Sequence, residues 1–405
     1  MKKAFSIMLA VMMVFSLVAC GSKEAAPAES AAVGEKTEAA AEAKTETADA
    51  KGTFKIGGSG PLTGGAALYG IAVQRGGQIA VDEINAAGGI NGYQIEWLFE
   101  DDEHDAEKAV NAYNNLKDKG LQIMVGTVTS GPCLSVVEET SADNMFEISP
   151  SGSTKDITIN KNVYRVCYSD PDQGIKSAQY IGEKGLAKKI GIIYDSSDPY
   201  SQGIYETFDA GAADYGLEVV AAEAFTADSK SDFTTQIQKM KDAGAELCFL
   251  PFYYTEAALV LKQAKEMGYS PLFFGVDGMD GILNLEGFDA SLAEGVMLLT
   301  PFAADAQDDL TVNFVKAYTD AYGETPIQFA ADGYDAVYIV KAAAEAAGIT
   351  PDMSVSDICD ALCAVMGDIS IDGLTGKGIS FTEDGEPNKD PKAVVIQNGA
   401  YVAMD

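Results

Sequence analysis

The stretch Gln122-Ile123-Met124-Val125-Gly126-Thr127-Val128-Thr129-Ser130-Gly131-Pro132 decides the fold. A short apolar run ends at a glycine, passes through hydroxyl-bearing residues and meets a proline suited to a first helical turn. That is the pattern of a strand, an exit loop and a helix start. Thr129 or Ser130 can cap the helix, with Pro132 just inside it. Working outward, β-rich runs recur at 54–58, 94–99, 122–125, 146–149, 189–194, 218–221, 246–250 and 272–275. Segments of helical period lie between them: Ala106, Ala109, Val110, Tyr113 and Leu116 form one apolar stripe. Ala86-Ala87-Gly88-Gly89 and Asp118-Lys119-Gly120 are the glycine stops expected at helix ends. This alternation predicts an α/β fold with largely parallel, doubly wound sheets. So many units exceed one comfortable sheet and divide naturally into two lobes.

In such sheets ligands bind beyond the carboxyl ends of strands, so the exit loops carry the information. The first exit, Gly57-Gly58-Ser59-Gly60-Pro61-Leu62-Thr63-Gly64, is not a dinucleotide fingerprint. Its glycines are one residue out of register, and Pro61 removes a donor. Nor is it a nucleophile elbow, because Pro61 stands where the second glycine would follow Ser59. The exit at Ser130 presents a helix N-terminus, whose free N–H groups and dipole suit a carboxylate. A further exit, Ser149-Pro150-Ser151-Gly152-Ser153-Thr154, adds hydroxyls and a glycine that permits close approach.

Composition narrows the function. The chain has 405 residues, 28 Lys+Arg against 61 Asp+Glu, and a formal net charge of -33. That charge would repel phosphate backbones, so nucleic acid is excluded as a partner. At 47% hydrophobic residues the chain can nevertheless fold. A lone histidine, His104, leaves little room for histidine-based catalysis or a multi-histidine metal site. The run Asp101-Asp102-Glu103-His104-Asp105 matches no calcium-loop spacing, so no metal is assigned. Cys359 and Cys363, four apart on a predicted helix, read as buried thiols rather than zinc ligands. No catalytic residue and no cofactor is predicted.

The N-terminus reads as a secretory signal over 1–19: Lys2 and Lys3, an apolar stretch over 7–18, and a small-residue site. Leu17-Val18-Ala19-Cys20-Gly21 resembles the bacterial lipobox, in which the cysteine is acylated. Residues 20–52, rich in Ala, Glu, Lys and Thr, then form an exposed tether on a lipid anchor. The tether is close to neutral, so the acidity belongs to residues 53–405.

The ordered set of motifs resembles a known family. Residues 57–70 with Tyr69, the helix 76–85 followed by Ala87-Gly88-Gly89-Ile90-Asn91-Gly92, Asp101-Asp102, the 126–130 loop and Pro150-Ser151-Gly152-Ser153 are similar, in that order, to the branched-chain amino-acid binding proteins of ABC importers. The likeness continues through Asp198-Pro199-Tyr200-Ser201-Gln202-Gly203, 261–268 and Gly333-Tyr334-Asp335-Ala336, and so spans 53–405. It implies a type I periplasmic binding protein fold: two Rossmann-like lobes, 53–170 plus 302–378 and 171–301 plus 379–405, joined by a three-crossover hinge. It implies that Ser130 and Ser153 hold a ligand α-carboxylate, and that the Ser151 carbonyl and Asp277 receive its ammonium. Tyr69, Tyr200, Phe329 and either Tyr253 or Tyr254 would form aromatic walls. Two positions depart from the common pattern: Asp277 stands where Glu is usual and Ser153 where Thr is usual.

The expectation is a monomeric, lipid-anchored, extracytoplasmic solute-binding protein. It would capture a neutral aliphatic α-amino acid and pass it to a membrane permease. The alternatives are an amide, urea or aromatic acid on the same fold, a sensor serving a receptor, and a secreted hydrolase.

Overall fold

The computed structural model describes residues 52–404; the expected signal, Cys20 and most of the tether lie outside them. The first half alternates strand and helix: β1 (Thr53–Gly60), α1 (Ala67–Ala86), β2 (Gln94–Asp101), α2 (Ala106–Asp118), β3 (Ile123–Val125), α3 (Ser130–Asp143), β4 (Glu147–Ser149) and β5 (Val163–Arg165). These five strands make one parallel sheet in the order β2-β1-β3-β4-β5. Its central strand β3 is apolar and buried on both faces, as a parallel sheet covered by helices requires.

The chain then enters a second sheet through α4 (Asp170–Glu183), β6 (Lys189–Asp195), α5 (Pro199–Gly211), β7 (Glu218–Phe225), α6 (Thr234–Ala243), β8 (Leu247–Leu250), α7 (Tyr254–Glu266), β9 (Leu272–Gly275) and β10 (Met297–Thr300). It returns to the first sheet for α8 (Asp309–Tyr322), α9 (Gln328–Ala347) and α10 (Val355–Val365). It ends in the second as β11 (Lys392–Gln397) and β12 (Ala400–Ala403). The second sheet runs β12-β11-β10-β9-β8-β6-β7, parallel except for its last two strands, which pair antiparallel. Ala178, Ile181, Ile190, Phe208, Phe249 and Phe274 fill its core with α4 and α5. Each of the buried Ile and Phe side chains contributes about 1.5–3 kcal/mol.

Two glycines let the returning helix reach the first sheet. A Cβ on Gly76 of α1 would lie 1.9 Å from the Ala330 carbonyl, and one on Gly333 of α9 would lie 2.5 Å from the Val73 carbonyl. Without side chains at these points, α1 and α9 pack backbone to backbone. That contact carries Phe329, at the start of α9, to 4.2 Å from the ring centre of Tyr69.

Beyond residue 378 the chain still touches the first sheet. Phe381 packs edge-on to Tyr164 at 5.7 Å, Arg165 N–H donates to the Gly385 carbonyl at 3.2 Å, and Arg165 pairs with Glu386 at 2.7 Å. Residues 379–387 therefore cover β5 of the first sheet. Among the described residues no helix is long and apolar enough to cross a membrane.

Candidate functional site

The exit loops of the two sheets face one another. From the first sheet come the loops after β3 and β4; from the second come the start of α5 and the loops after β8 and β9. Tyr69, Val128, Thr129, Ser130, Ser151, Tyr200, Tyr253, Asp277, Gly278 and Phe329 enclose one cavity, so seven of the eight expected residues line it directly. The eighth, Ser153, lies just behind Ser130, with 3.5 Å between their hydroxyl oxygens. The cavity is closed down to about 10 Å³ for the centre of a water-sized sphere, roughly one water's worth.

On the first-sheet side, α3 begins at Ser130 with Thr129 as its extended N-cap residue. The Thr129 side chain makes no capping bond; its hydroxyl meets His104 Nδ1 at 2.9 Å instead. The Ser130 hydroxyl accepts from the N–H groups of Ser153 and Thr154 at 3.1 and 3.2 Å, and so ties the two exit loops together. The Ser151 hydroxyl donates to the Val128 carbonyl at 2.7 Å. This wall is neutral and internally satisfied.

On the second-sheet side, Asp277 is 2% exposed. Tyr200 donates its hydroxyl to Asp277 Oδ1 at 2.5 Å and accepts the Gly278 N–H at 2.9 Å. Burial pushes the Asp277 carboxyl up to about 6, while the Tyr200 hydroxyl and the Gly278 N–H hold it back. The Tyr200 ring stacks on Tyr253 at 4.9 Å, and Tyr253 meets Tyr69 edge-on at 5.5 Å. Tyr69 bridges the walls, donating its hydroxyl to the Gly278 carbonyl and accepting the Tyr254 N–H at 3.2 Å.

Backbone geometry separates Tyr253 from Tyr254. Tyr253 is the extended N-cap of α7 and Tyr254 its first helical residue, so the two side chains diverge. Tyr253 lines the cavity, whereas Tyr254 turns away to accept the Leu68 N–H at 3.3 Å.

The acidic run at 101–105 is structural. Asp101 accepts from Leu62 N–H and the Thr63 hydroxyl, Asp102 from His104 N–H, and Asp105 caps α2 through Lys108 N–H. His104 nevertheless belongs at the site's edge, its ring set edge-on to Tyr253 at 5.5 Å. Burial pushes its imidazole down to about 4, so it is neutral there. Beyond Tyr253 and His104 opens an outer chamber of about 410 Å³, rimmed by Glu103, Asp195, Asp198, Lys230 and Glu256. His104, Gly278 and this chamber escape a reading by residue type alone, because only the meeting of two sheets assembles them. Among the described residues no group of three or more His, Cys, Asp or Glu side chains is placed to hold a metal ion. The five described cysteines are free; four are buried and Cys363 is half-buried.

Comparison with known proteins places the whole folded part. Residues 53–400 match the model of the periplasmic binding protein family. A leucine-, isoleucine-, valine-, threonine- and alanine-binding protein of Pseudomonas aeruginosa is 30% identical over 289 residues, which is 71% of this chain and 76% of that one. The branched-chain amino acid transporter substrate-binding protein LivJ of Streptococcus pneumoniae, solved with isoleucine, is 32% identical. That match covers 87% of this chain and 98% of that one, with a TM-score of 0.79. A solute-binding protein of an ABC transporter from R. palustris, solved with benzoate, shares the fold at 21% identity and a TM-score of 0.78 over 87% of this chain and 95% of that one.

Proposed function

The chain belongs to the periplasmic binding protein family, and from that premise we propose that it captures a neutral aliphatic α-amino acid between two lobes and delivers it to an ABC permease. The observation that carries this reading is the opposed chemistry of the cleft: a neutral, donor-rich wall at Ser130 and Ser153 faces a buried carboxylate at Asp277. A zwitterion taken out of water needs both of its charges met, since an unpaired buried charge costs several kcal/mol. Ser130, the adjacent N–H groups and Ser153 meet the carboxylate. Asp277 and the Ser151 carbonyl meet the ammonium. Tyr69, Tyr200, Tyr253 and Phe329 enclose the side chain. The names of the P. aeruginosa and S. pneumoniae relatives agree with such a ligand.

A cavity of about 10 Å³ admits no amino acid until the walls part. We assign the first lobe to 53–170 plus 302–387 and the second to 171–301 plus 388–405; the packing of 379–387 on β5 supports ending the first lobe at 387 rather than at the expected 378. Opening separates Tyr69 from Gly278, and closure around a ligand restores the contact. The ligand's preference for the closed form supplies the shift. Nothing in this cycle makes or breaks a covalent bond. Lipid attachment at Cys20, residence on the outer face of the cell membrane and a monomeric state complete the proposal.

Thermal shift of the full-length protein against leucine, isoleucine, valine, threonine, alanine, benzoate, an amide and urea tests it. A ligand at 100 times its Kd adds about 2.7 kcal/mol to stability. The amino acids should raise the melting temperature and the others should leave it. A response to benzoate or urea alone would replace this ligand class, and turnover of a bound ligand would refute a pure binding role.

A further inference from the structure

Two consecutive residues before α2 sit in strained backbone. Glu103 and His104 are non-glycine residues in the left-handed region, with φ of 51° and 58°, a conformation such residues keep only when their surroundings impose it. The acids just before them do so: the Asp101 carboxylate accepts the Glu103 N–H at 2.9 Å, and the Asp102 carboxylate accepts the His104 N–H at 3.0 Å. The turn so held delivers an imidazole to the cleft. Its Nδ1 meets the Thr129 hydroxyl at 2.9 Å, leaving that N-cap residue without a capping bond, and its ring stands edge-on to Tyr253 at 5.5 Å. Thr129 belongs to the first-sheet wall and Tyr253 to the second-sheet wall, and both line the closed cavity. His104 thus touches one residue of each wall from behind.

The same two rings divide two spaces of very different size. The cavity is closed down to about 10 Å³, whereas the outer chamber holds about 410 Å³. Tyr253 borders both, and His104 borders the chamber beside it. The chamber is charged at its rim, but its lining includes Pro132, Phe225 and Phe252, which could receive an apolar group. Burial keeps the imidazole neutral, so it can back an aromatic wall without the cost of an unpaired charge.

We infer that His104 is a specificity-determining residue: it backs Tyr253 so that the space for the ligand side chain ends at that ring, which admits a short aliphatic side chain and shuts an aromatic one out of the outer chamber. This rests on the amino-acid reading above. When the walls close around a ligand, contact with His104 returns Tyr253 to one position. Without the imidazole, Tyr253 has room to swing toward the chamber, and a benzyl side chain can follow it. A single methylene in an apolar pocket changes discrimination by roughly 10- to 200-fold, so displacement of a whole ring is readable in binding.

Calorimetric titration of wild type, His104→Asn and His104→Gly with leucine and phenylalanine tests this. Both replacements accept the left-handed backbone, and Asn keeps an amide that can meet Thr129 while removing the bulk of the ring. Wild type should prefer leucine, and in both variants that preference should narrow by about tenfold or more. Wild type with no preference for leucine overturns the inference. So do variants that keep the wild-type preference, an equal loss for both ligands marking a merely structural role. Narrowing in His104→Gly but not in His104→Asn also overturns it, because the effect then belongs to the Thr129 bond and not to the ring. If the variants do not fold, a crystal structure of the wild type with leucine decides. A leucine side-chain carbon within about 4 Å of the Tyr253 ring supports the assignment, and a side chain out of contact with that ring overturns it. Wild type that binds no α-amino acid overturns the parent reading and this one together; wild type that binds leucine, with the preference unmoved in the variants, overturns this one alone.

Discussion

The two walls of the cleft treat polar groups in opposite ways. On the first-sheet wall every hydroxyl that faces the cavity already has work inside the protein: Ser130 receives two N–H groups, Ser151 donates to Val128, and Thr129 meets His104. On the second-sheet wall, Asp277 is buried with a raised carboxyl. A satisfied neutral wall costs nothing to keep folded and can turn N–H groups toward an anion. An acidic wall is expensive alone and is relieved by a cation. On the function proposed above, the difference gives the cleft a direction, with the carboxylate end of a zwitterion toward Ser130 and the ammonium end toward Asp277.

Removing the charge from the acidic wall should have the largest effect. Asp277→Asn should weaken leucine binding by about 30-fold or more, in line with the roughly 2–3 kcal/mol lost with one charged hydrogen bond. Unchanged affinity by calorimetry would take Asp277 out of the site.

Next comes the packing that carries Phe329 to Tyr69. Gly76→Ala forces a Cβ against the Ala330 carbonyl and should cost about 1–3 kcal/mol in denaturant unfolding, with weaker binding as Phe329 shifts. A variant as stable as wild type would show that the α1–α9 contact is loose.

On the neutral wall, Ser130→Ala leaves the N–H groups of Ser153 and Thr154 without their acceptor. It should cost about 1 kcal/mol of stability and about tenfold in affinity. Loss of affinity with no loss of stability would mean that the hydroxyl serves the ligand alone.

The smallest effect is on pH. Burial raises Asp277, Asp198 and Asp280 to about 6, Asp102 to about 7 and Glu147 to about 8. The native state thus holds protons that the unfolded chain, with carboxyls near 4, has released. Their contribution is present at low pH and lost as pH rises through 6–8. The ligand-free melting temperature should therefore be higher near pH 5.5 than at pH 8. Leucine should add more at pH 8, where its ammonium meets ionised carboxylates. A melting temperature that rises steadily from 5.5 to 8 would contradict this.

Much of the fold is legible because strand and helix periods alternate cleanly from Phe54 to Gly275. What escapes is short or unusual. β5 has three residues, one of them Arg165, and a charge argues against a buried strand until its partners Ser153, Thr154 and Glu386 are known. β11 and β12 break the parallel alternation and pair antiparallel at the sheet's edge. At the site, Ser130 and Ser151 are readable from exit-loop chemistry. Asp277 is not, since an Asp before Gly278 also reads as a loop cap, and only the family resemblance singled it out. Asp170 reads as an ordinary first-turn acid after Ser169. Its burial arises only when α5 and the Ser153 loop pack against it, and no local pattern records that.

The central claim is that the acidic wall recognises an ammonium while the neutral wall recognises a carboxylate. Calorimetric titration with leucine and with 4-methylpentanoate, which is leucine without its amino group, tests it most directly. Leucine should bind, and the deaminated acid should bind at least about 100-fold more weakly, because it brings no cation to the buried Asp277 carboxylate. Equal affinity for the two would contradict the account.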